Sequence, residues 1–265
     1  MTPAPLRAVM ACLYLSLLAV AFAQSGPDNM QIFLLLGQSN MAGRGAVEPP
    51  DQVPHPRVFM LTKELAWVPA IDPMHFDKPE RIGTGLGKTF GAVVADAAPE
   101  AVIGLVPAAF GGSALDEWAP GQLHYVNAVA RAKAALKHGR LAGILWHQGE
   151  ADSAPDKAAT YAVRFAKMIA QLRADLDAQD VPVIVGETGR FRADGAAINA
   201  VLSRLPEFVP HCAFVSAEGL ADKGDKLHFD SPSFREFGRR YAAAWQTLAA
   251  TPAQLKPILV APKKN

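Results

Sequence analysis

The sequence predicts an α/β fold, a three-layer α/β/α sandwich with a central and mainly parallel sheet. Short apolar runs of strand length alternate with longer helical patterns along the chain, which is the order expected of such a sandwich. Most of the short runs are apolar throughout, as is typical of strands buried on both faces of a parallel sheet. The length of 265 residues, 50% of them hydrophobic, favours a single domain.

Six strands are predicted, one from each of these apolar runs. They are residues 31–36, 57–61, 101–106, 142–147, 181–186 and 212–216. Five helices are predicted, at residues 89–98, 125–138, 155–178, 193–205 and 233–250. Pro155 suits the first turn of the longest helix, where its missing N–H is no loss. The proline-rich segment 42–88 is predicted to be a long loop near the site, and the tail 251–265 to pack loosely.

The first 23 residues have the features of a secretory signal. Arg7 is the only charged residue before Asp28, and the apolar run 9–23 ends in the small-x-small pattern Ala-Phe-Ala. The run is shorter than a membrane span of about 20 residues, so an uncleaved anchor is the less favoured alternative. We predict a cleaved signal 1–23, a mature domain 24–265, and a secreted or periplasmic protein without stable membrane insertion.

The charge balance and the cysteines narrow the function classes further. The chain has 26 basic and 25 acidic side chains and a net charge of +1, so nothing favours a nucleic-acid partner. Cys12 falls within the predicted signal, which leaves Cys212 without an intramolecular disulfide partner.

Four polar stretches lie where the predicted fold has the carboxyl ends of its strands. Ligands of parallel α/β sheets bind at these ends, so we expect the stretches to meet in one site. They are GQSNM (37–41), PAAFGGS (107–113), WHQGEADS (146–153) and DKLHFDS (225–231).

Ser39 is a candidate nucleophile. A serine hydroxyl needs a neighbouring base to take its proton, and the G-x-S-x-G elbow is absent because Met41 replaces its second glycine. His228 is the best candidate base, since Asp225, three residues earlier, can hold one ring nitrogen while the other faces a serine. The alternatives are a serine that caps a helix and an ordinary charged surface loop.

The other two stretches offer groups that can stabilise the negative oxygen of an acyl-transfer intermediate. Gly111 and Gly112 can present a main-chain N–H, and Gln148 a side-chain amide. A Gly-Gly pair is equally suited to a plain turn. Glu150 is a second carboxylate, but with His147 it lacks the spacing of a metal site, so no metal is predicted.

In this order, the segments GQSNMAGRG, VPAAFGGSALDEW, LWHQGEAD and DKLHFD resemble the SGNH-hydrolase superfamily. Within it, they are most similar to carbohydrate esterase family 6 and the sialate O-acetylesterase domain. The resemblance covers residues 31–250 and implies the flavodoxin-like SGNH fold. It implies that Ser39 is the nucleophile, His228 the base and Asp225 its acid partner.

The resemblance also implies an oxyanion hole. Its donors would be the main-chain N–H of Ser39, that of Gly111 or Gly112, and the amide of Gln148.

Glu150 matches a glutamate that is sometimes proposed as the acid member of the triad. We prefer Asp225, because the three-residue spacing delivers it directly to His228. Glu150 is then expected to orient neighbouring loops or His228, and Asn40 to brace the turn through side-chain hydrogen bonds.

The sequence thus predicts a secreted serine esterase that removes O-acetyl groups from carbohydrates, with no metal or organic cofactor. Trp118, Trp67 and His124 are candidate sugar contacts, with ordinary packing as the alternative. The acetylated glycan stays open among xylan, sialic acid, pectin and a bacterial polysaccharide. Two other functions are considered: an SGNH lipase or thioesterase for non-carbohydrate esters, which would need a long apolar groove, and a non-catalytic carbohydrate-binding protein.

Overall fold

A seven-stranded sheet runs through the centre of the computed structural model, which describes residues 27–250. The strands are β1 (Met30–Gly37), β2 (Val58–Leu61), β3 (Trp67–Pro69), β4 (Ile103–Pro107), β5 (Gly139–His147), β6 (Val183–Gly186) and β7 (Cys212–Val215). Their order in space is β3-β2-β4-β1-β5-β6-β7, and every pair is parallel except β2 with β3. The predicted α/β class, single domain and six strands are confirmed.

Helices cover both faces of the sheet. They are α1 (Ser39–Ala42), α2 (Gly87–Ala97), α3 (Leu123–Ala135), α4 (Pro155–Asp175), α5 (Ala196–Leu202), α6 (Leu205–Phe208) and α7 (Ser231–Ala250). The predicted helix 193–205 is too long, because α5 covers only Ala196–Leu202 and a separate short helix, α6, begins at Leu205. Pro206 lies in the first turn of α6 and cannot donate the hydrogen bond that would continue α5.

The central strand β1 explains the three layers. Its side chains point alternately to the two faces of the sheet. Ile32 and Leu34 enter one apolar cluster, together with residues of α3 and α4. Phe33 and Leu35 enter a second cluster with residues of α2 and α7. Because both faces are covered, the strand is apolar without interruption over residues 32–36.

The segment 42–88 is more ordered than the predicted loop. β2 and β3 form an antiparallel hairpin at one edge of the sheet, and a 3₁₀ turn spans Pro49–Gln52. β3 has only three residues and ends in a proline, so no apolar run marks it in the sequence.

The predicted signal 1–23, with Cys12, and the tail 251–265 lie outside the described residues. Between residues 27 and 250, none of the helices combines the length and the apolar character needed to cross a membrane.

Candidate active site

Ser39 lies at the carboxyl edge of the sheet, directly after the central strand. β1 ends at Gly37, which pairs with His147 at the end of β5. Gly37 has a φ of +129°, and a β-carbon there would lie 2.1 Å from the carbonyl oxygen of His147, so only glycine fits. The chain can therefore turn at once into α1, whose first residue is Ser39.

Three side chains form one hydrogen-bonded row at this edge. The Oγ atom of Ser39 lies 3.0 Å from Nε2 of His228, and Nδ1 of the same ring lies 2.7 Å from Oδ2 of Asp225. His228 belongs to the loop between β7 and α7, 189 residues beyond Ser39. In this order of groups, a carboxylate orients an imidazole and the imidazole takes a proton from a serine.

Asp225 is held in its charged form. Its Oδ1 accepts the main-chain N–H groups of Leu227 at 2.9 Å and His228 at 2.8 Å. Burial alone would raise its pKa, but these bonds and the His228 ring outweigh burial and lower the pKa to about 2. A carboxylate facing Nδ1 keeps the ring proton on that nitrogen, so Nε2 is free to accept one.

Three N–H groups around Ser39 have no acceptor within residues 27–250. Two are the main-chain N–H groups of Ser39 and Gly112. The third is the side-chain amide of Gln38, whose Oε1 accepts the N–H of Ala151 at 3.2 Å while its Nε2 makes no hydrogen bond in the described chain. Gln38, Ser39 and Gly112 line the same pocket as His228. These donors are available to a negative oxygen formed at Ser39.

Gly111 lies against Ser39, but its N–H is occupied. The N–H donates to Oδ2 of Asp77 at 2.7 Å, and the same oxygen accepts Nη2 of Arg44 at 2.7 Å. Burial would raise the pKa of Asp77, but Arg44 and the N–H of Gly111 outweigh burial and lower it. A β-carbon on Gly111 would lie 2.4 Å from Nη2 of Arg44, so the glycine is required for this contact. The expectation that Gly111 donates to the oxyanion does not fit this geometry, and Gly112 is the available glycine of the pair.

Gln148 is also committed elsewhere. Its side chain is fully buried, and its Nε2 donates to the carbonyl oxygen of Ser113 at 3.2 Å and to Oδ2 of Asp152 at 2.7 Å. Its Oε1 accepts the hydroxyl of Tyr161, on α4, at 2.7 Å. The expected oxyanion role of Gln148 therefore does not fit, because both amide hydrogens are used inside the protein.

Glu150 makes no hydrogen bond to His228 in the described structure. Its buried Oε1 accepts Nδ2 of Asn40 at 2.6 Å and lies 3.7 Å from Nε2 of His147, which is beyond hydrogen-bond distance. Asp225 is thus the carboxylate that holds the ring, and Glu150 lies beneath Asn40.

Two of the predicted sugar contacts are packing residues. Trp67 is 5% exposed and Trp118 is 1% exposed, and both belong to the larger apolar cluster. The indole N–H of Trp118 donates to Oγ of Ser113 at 2.9 Å. The expectation that these two rings bind a sugar does not fit their burial.

His124, the third predicted contact, supports an aromatic ring that the sequence did not single out. Its ring stacks on Phe110, with 4.4 Å between centroids, and burial lowers the pKa of His124. Phe110 is 39% exposed and directly precedes Gly111. The ammonium group of Lys78 lies 5.9 Å from the centroid of Phe110. Phe110 is therefore an exposed aromatic ring on the residue next to Gly111, which itself lies against Ser39.

The pocket over Ser39 is open, with a volume of about 780 Å³. Its charged lining residues are Arg44, Lys78, Arg81 and Lys223, with Glu80 and Asp225. Arg44 is paired with Asp77, but Lys78 has no carboxylate partner within residues 27–250. Arg81 lies 3.7 Å from Glu80 and Lys223 lies 3.7 Å from Asp225, so Lys78 is the cation of this lining that no carboxylate neutralises within residues 27–250.

Comparisons with known proteins identify the family of this chain. Residues 29–247 match the sequence profile of the family described as carbohydrate esterase, sialic acid-specific acetylesterase. A probable carbohydrate esterase of Arabidopsis thaliana is 33% identical over 240 residues, which cover 83% of this chain and 91% of that protein.

Solved structures show the same fold. A crystal structure of an Arabidopsis thaliana protein has a TM-score of 0.78 at 32% identity, covering 83% of this chain and 99% of that one. NanS has a TM-score of 0.72 at 21% identity, covering 83% and 98%. A carbohydrate acetylesterase from Xanthomonas citri has a TM-score of 0.64 at 22% identity, covering 83% and 56%. The similarities to NanS and to the Xanthomonas citri enzyme, at 21% and 22% identity, are evidence for the fold alone. The chain belongs to this carbohydrate esterase family of SGNH type, and the resemblance seen in its four segments is confirmed.

Proposed function

We propose that this chain is a serine esterase that removes O-acetyl groups from carbohydrates through an acetyl-enzyme on Ser39. The observation that carries the proposal is the hydrogen-bonded row from Asp225 through His228 to Ser39. Membership of a carbohydrate esterase family supports the same chemistry.

In the first half of the reaction, Oγ of Ser39 attacks the acetyl carbonyl carbon while Nε2 of His228 takes the hydroxyl proton. The carbonyl oxygen becomes negative and accepts hydrogen bonds from the N–H groups of Ser39 and Gly112 and from the amide of Gln38. The ester C–O bond then breaks, and His228 returns the proton to the departing sugar oxygen.

In the second half, water attacks the acetyl-enzyme and His228 takes a proton from it. The second tetrahedral intermediate uses the same donors. When it collapses, the bond to Ser39 breaks, His228 returns the proton to the serine oxygen, and acetate leaves.

Acetate release by wild-type protein and by Ser39→Ala tests this proposal. The variant should lose acetate release from a small aryl acetate while keeping its melting temperature. Ser203→Ala is the matched control, because Ser203 is exposed at the end of α5 and its hydroxyl bonds only to Ala200 in the described chain. Full activity in Ser39→Ala would overturn the proposal.

A substrate panel separates the alternatives. Acetylated xylan, O-acetylated sialic acid and a long-chain fatty acyl ester should be compared. Preference for the long acyl chain would favour the lipase or thioesterase alternative. Binding of acetylated glycans with no acetate release would favour the non-catalytic alternative.

The pocket charges favour an acidic glycan within this panel. Lys78 borders the pocket and can attract a sugar carboxylate, whereas Lys223 already lies 3.7 Å from Asp225. Lys78→Ala should raise KM for O-acetylated sialic acid and leave KM for neutral acetylated xylan unchanged. An equal change for both substrates would contradict a charge-based preference.

Secretion is part of the proposal and rests on the signal features of residues 1–23. Expression of the full chain should give an extracellular or periplasmic protein whose first residue is near Gln24. Mass spectrometry of the intact protein measures this, and an N-terminus that still carries the apolar run would contradict cleavage.

A further inference from the structure

His228 lies in a loop that has little regular structure of its own. Residues 216–230, between β7 and α7, contain no strand or helix, and an isolated bridge joins Asp222 to Phe229. The distance of 3.0 Å between Nε2 of His228 and Oγ of Ser39 therefore depends on side chains that anchor this loop.

Asn40 anchors the loop on both sides of His228. Its Nδ2 donates to the carbonyl oxygen of Leu227 at 3.0 Å, and its Oδ1 accepts the N–H of Phe229 at 3.4 Å. Asn40 is fully buried and directly follows Ser39. One side chain thus ties the residues on either side of the base to the turn that carries the serine.

Glu150 fixes which way this amide faces. Nδ2 has two hydrogens, and the structure gives it two acceptors, Leu227 O and Oε1 of Glu150 at 2.6 Å. If the amide of Asn40 were flipped, its oxygen would face these two oxygens and its NH₂ group would face the N–H of Phe229. The carboxylate therefore selects the orientation in which Asn40 holds the loop.

The ring of His147 lies beside Glu150 in the protein interior. Tyr241 donates its hydroxyl proton to Trp146 O at 2.9 Å, so Nδ1 of His147, 3.2 Å away, donates to the Tyr241 oxygen. Nε2 of that ring lies 3.7 Å from Oε1 of Glu150, and with Nδ1 donating to Tyr241 it directs a proton at the carboxylate only when the ring is charged. Burial raises the pKa of Glu150, but the His147 ring and the Asn40 amide outweigh burial and lower it, so the carboxylate is charged.

We propose that Glu150 is a positioning residue that acts on the reaction through Asn40. It holds the asparagine amide in the orientation that places His228 against Ser39, and it touches neither reacting group. This inference rests on the proposed function, since it assumes that His228 is the base.

Four variants test the inference, because one of them keeps the hydrogen bond between Glu150 and Asn40 and the other three remove it. Glu150→Gln keeps an oxygen for Asn40, so kcat should stay within about tenfold of wild type. Glu150→Ala removes the acceptor, and Asn40→Ala and Asn40→Asp remove the donor, so kcat should fall by about 10²-fold, as expected for a misplaced base. KM for a small aryl acetate should change little in all four.

A double-mutant cycle and a pH profile distinguish positioning from other roles. If Glu150 acts through Asn40, the double variant Asn40→Ala/Glu150→Ala should lose no more kcat than Asn40→Ala alone. The midpoint of the pH dependence of kcat should be unchanged in Glu150→Gln. If Glu150→Gln is as inactive as Glu150→Ala and the midpoint of its pH dependence is shifted, Glu150 belongs to the triad and the inference is overturned. Additive losses would also overturn it.

Asn199→Asp is the matched control for Asn40→Asp. Asn199 bonds main-chain atoms of Thr188 in a similar two-sided way, at 3.0 and 3.1 Å, outside the pocket lining. It should change the melting temperature without changing kcat.

Ser39→Ala in the same assay separates the two proposals. If it is inactive while Glu150→Ala has wild-type kcat, only the inference fails, and if it is fully active, the proposed function fails as well.

Discussion

Replacing Asp225 with asparagine should disable the enzyme by moving one proton on His228. Oδ1 of Asp225 accepts two main-chain N–H groups, from Leu227 and His228. In Asp225→Asn, the amide oxygen must occupy this position, because an NH₂ group there would face two donors. The NH₂ group then faces Nδ1 of His228, which has to accept. The ring proton is therefore on Nε2, the nitrogen that should take the proton of Ser39.

The expected loss can be estimated from this exchange of tautomers. An aspartate-to-asparagine change that leaves a triad in place but forces the wrong tautomer lowers kcat by about 10⁴-fold. That factor equals about 5 kcal/mol of transition-state stabilisation. The Asp225 side chain is 37% exposed, so folding should be little affected.

The assay is the initial rate of hydrolysis of a small aryl acetate as a function of pH. Asp222→Asn is the control, because it removes a carboxylate from the same loop. Its amide oxygen can still accept the N–H groups of Gly224 and Lys226, which bond Asp222 at 3.0 and 2.6 Å. A rate for Asp225→Asn within about tenfold of wild type would refute the reasoning, as would an equal loss in Asp222→Asn.

Three other outcomes are expected. Gln38→Glu keeps the oxygen that accepts the N–H of Ala151 but loses the free amide donor. The kcat should therefore fall by about 10²–10³-fold with KM nearly unchanged. An unchanged kcat would exclude Gln38 from the oxyanion hole. Phe110→Ala should raise KM for acetylated glycans but not for a small aryl acetate, because it removes an exposed ring next to the Gly111–Gly112 pair. Equal effects on both substrates would argue against sugar stacking. Burial and the nearby Asp51 charge raise the pKa of Asp72 to about 8, whereas in the unfolded chain it is about 3.9. Between these values the folded protein holds a proton that the unfolded chain lacks, so this group makes the free energy of unfolding fall as pH rises. Urea denaturation at two pH values in this window should show a smaller fall for Asp72→Asn than for wild type.

The parts of the fold that the sequence predicted are those with a local signature. Residues 32–36 of β1 and 141–146 of β5 are unbroken apolar runs, because helices cover both faces of these strands. β3 has three residues at the edge of the sheet, and its pairing with β2 depends on contacts that no local pattern encodes. The end of α5 at Leu202, three residues before the predicted end, is consistent with Pro206, which lacks the N–H that a continuing helix would need.

The candidate site divides in the same way. Asp225 and His228 are three residues apart, so their contact could be expected from the sequence alone. Gln38 and Gln148 both follow the ends of strands, and the sequence does not say which amide faces the pocket. Tyr161 decides this, because its hydroxyl bonds Oε1 of Gln148 at 2.7 Å and holds that amide in the interior.

No sequence pattern around Asp77 indicates that it contacts Gly111. Its carboxylate occupies the N–H of Gly111 from 34 residues away, within a proline-rich segment that resembles a plain loop. Contacts between loops of distant sequence position determine which N–H groups are free, and these contacts become visible only in the folded chain.

The central claim is that Ser39 carries the acetyl group during turnover. Quenching the reaction in acid while a small aryl acetate is being hydrolysed, followed by peptide mass spectrometry, measures this directly. We predict one acetyl group on the peptide that contains Ser39, absent from unreacted protein and from Ser39→Ala. Turnover without any acetyl group at Ser39, together with wild-type rates in Ser39→Ala, would contradict the account.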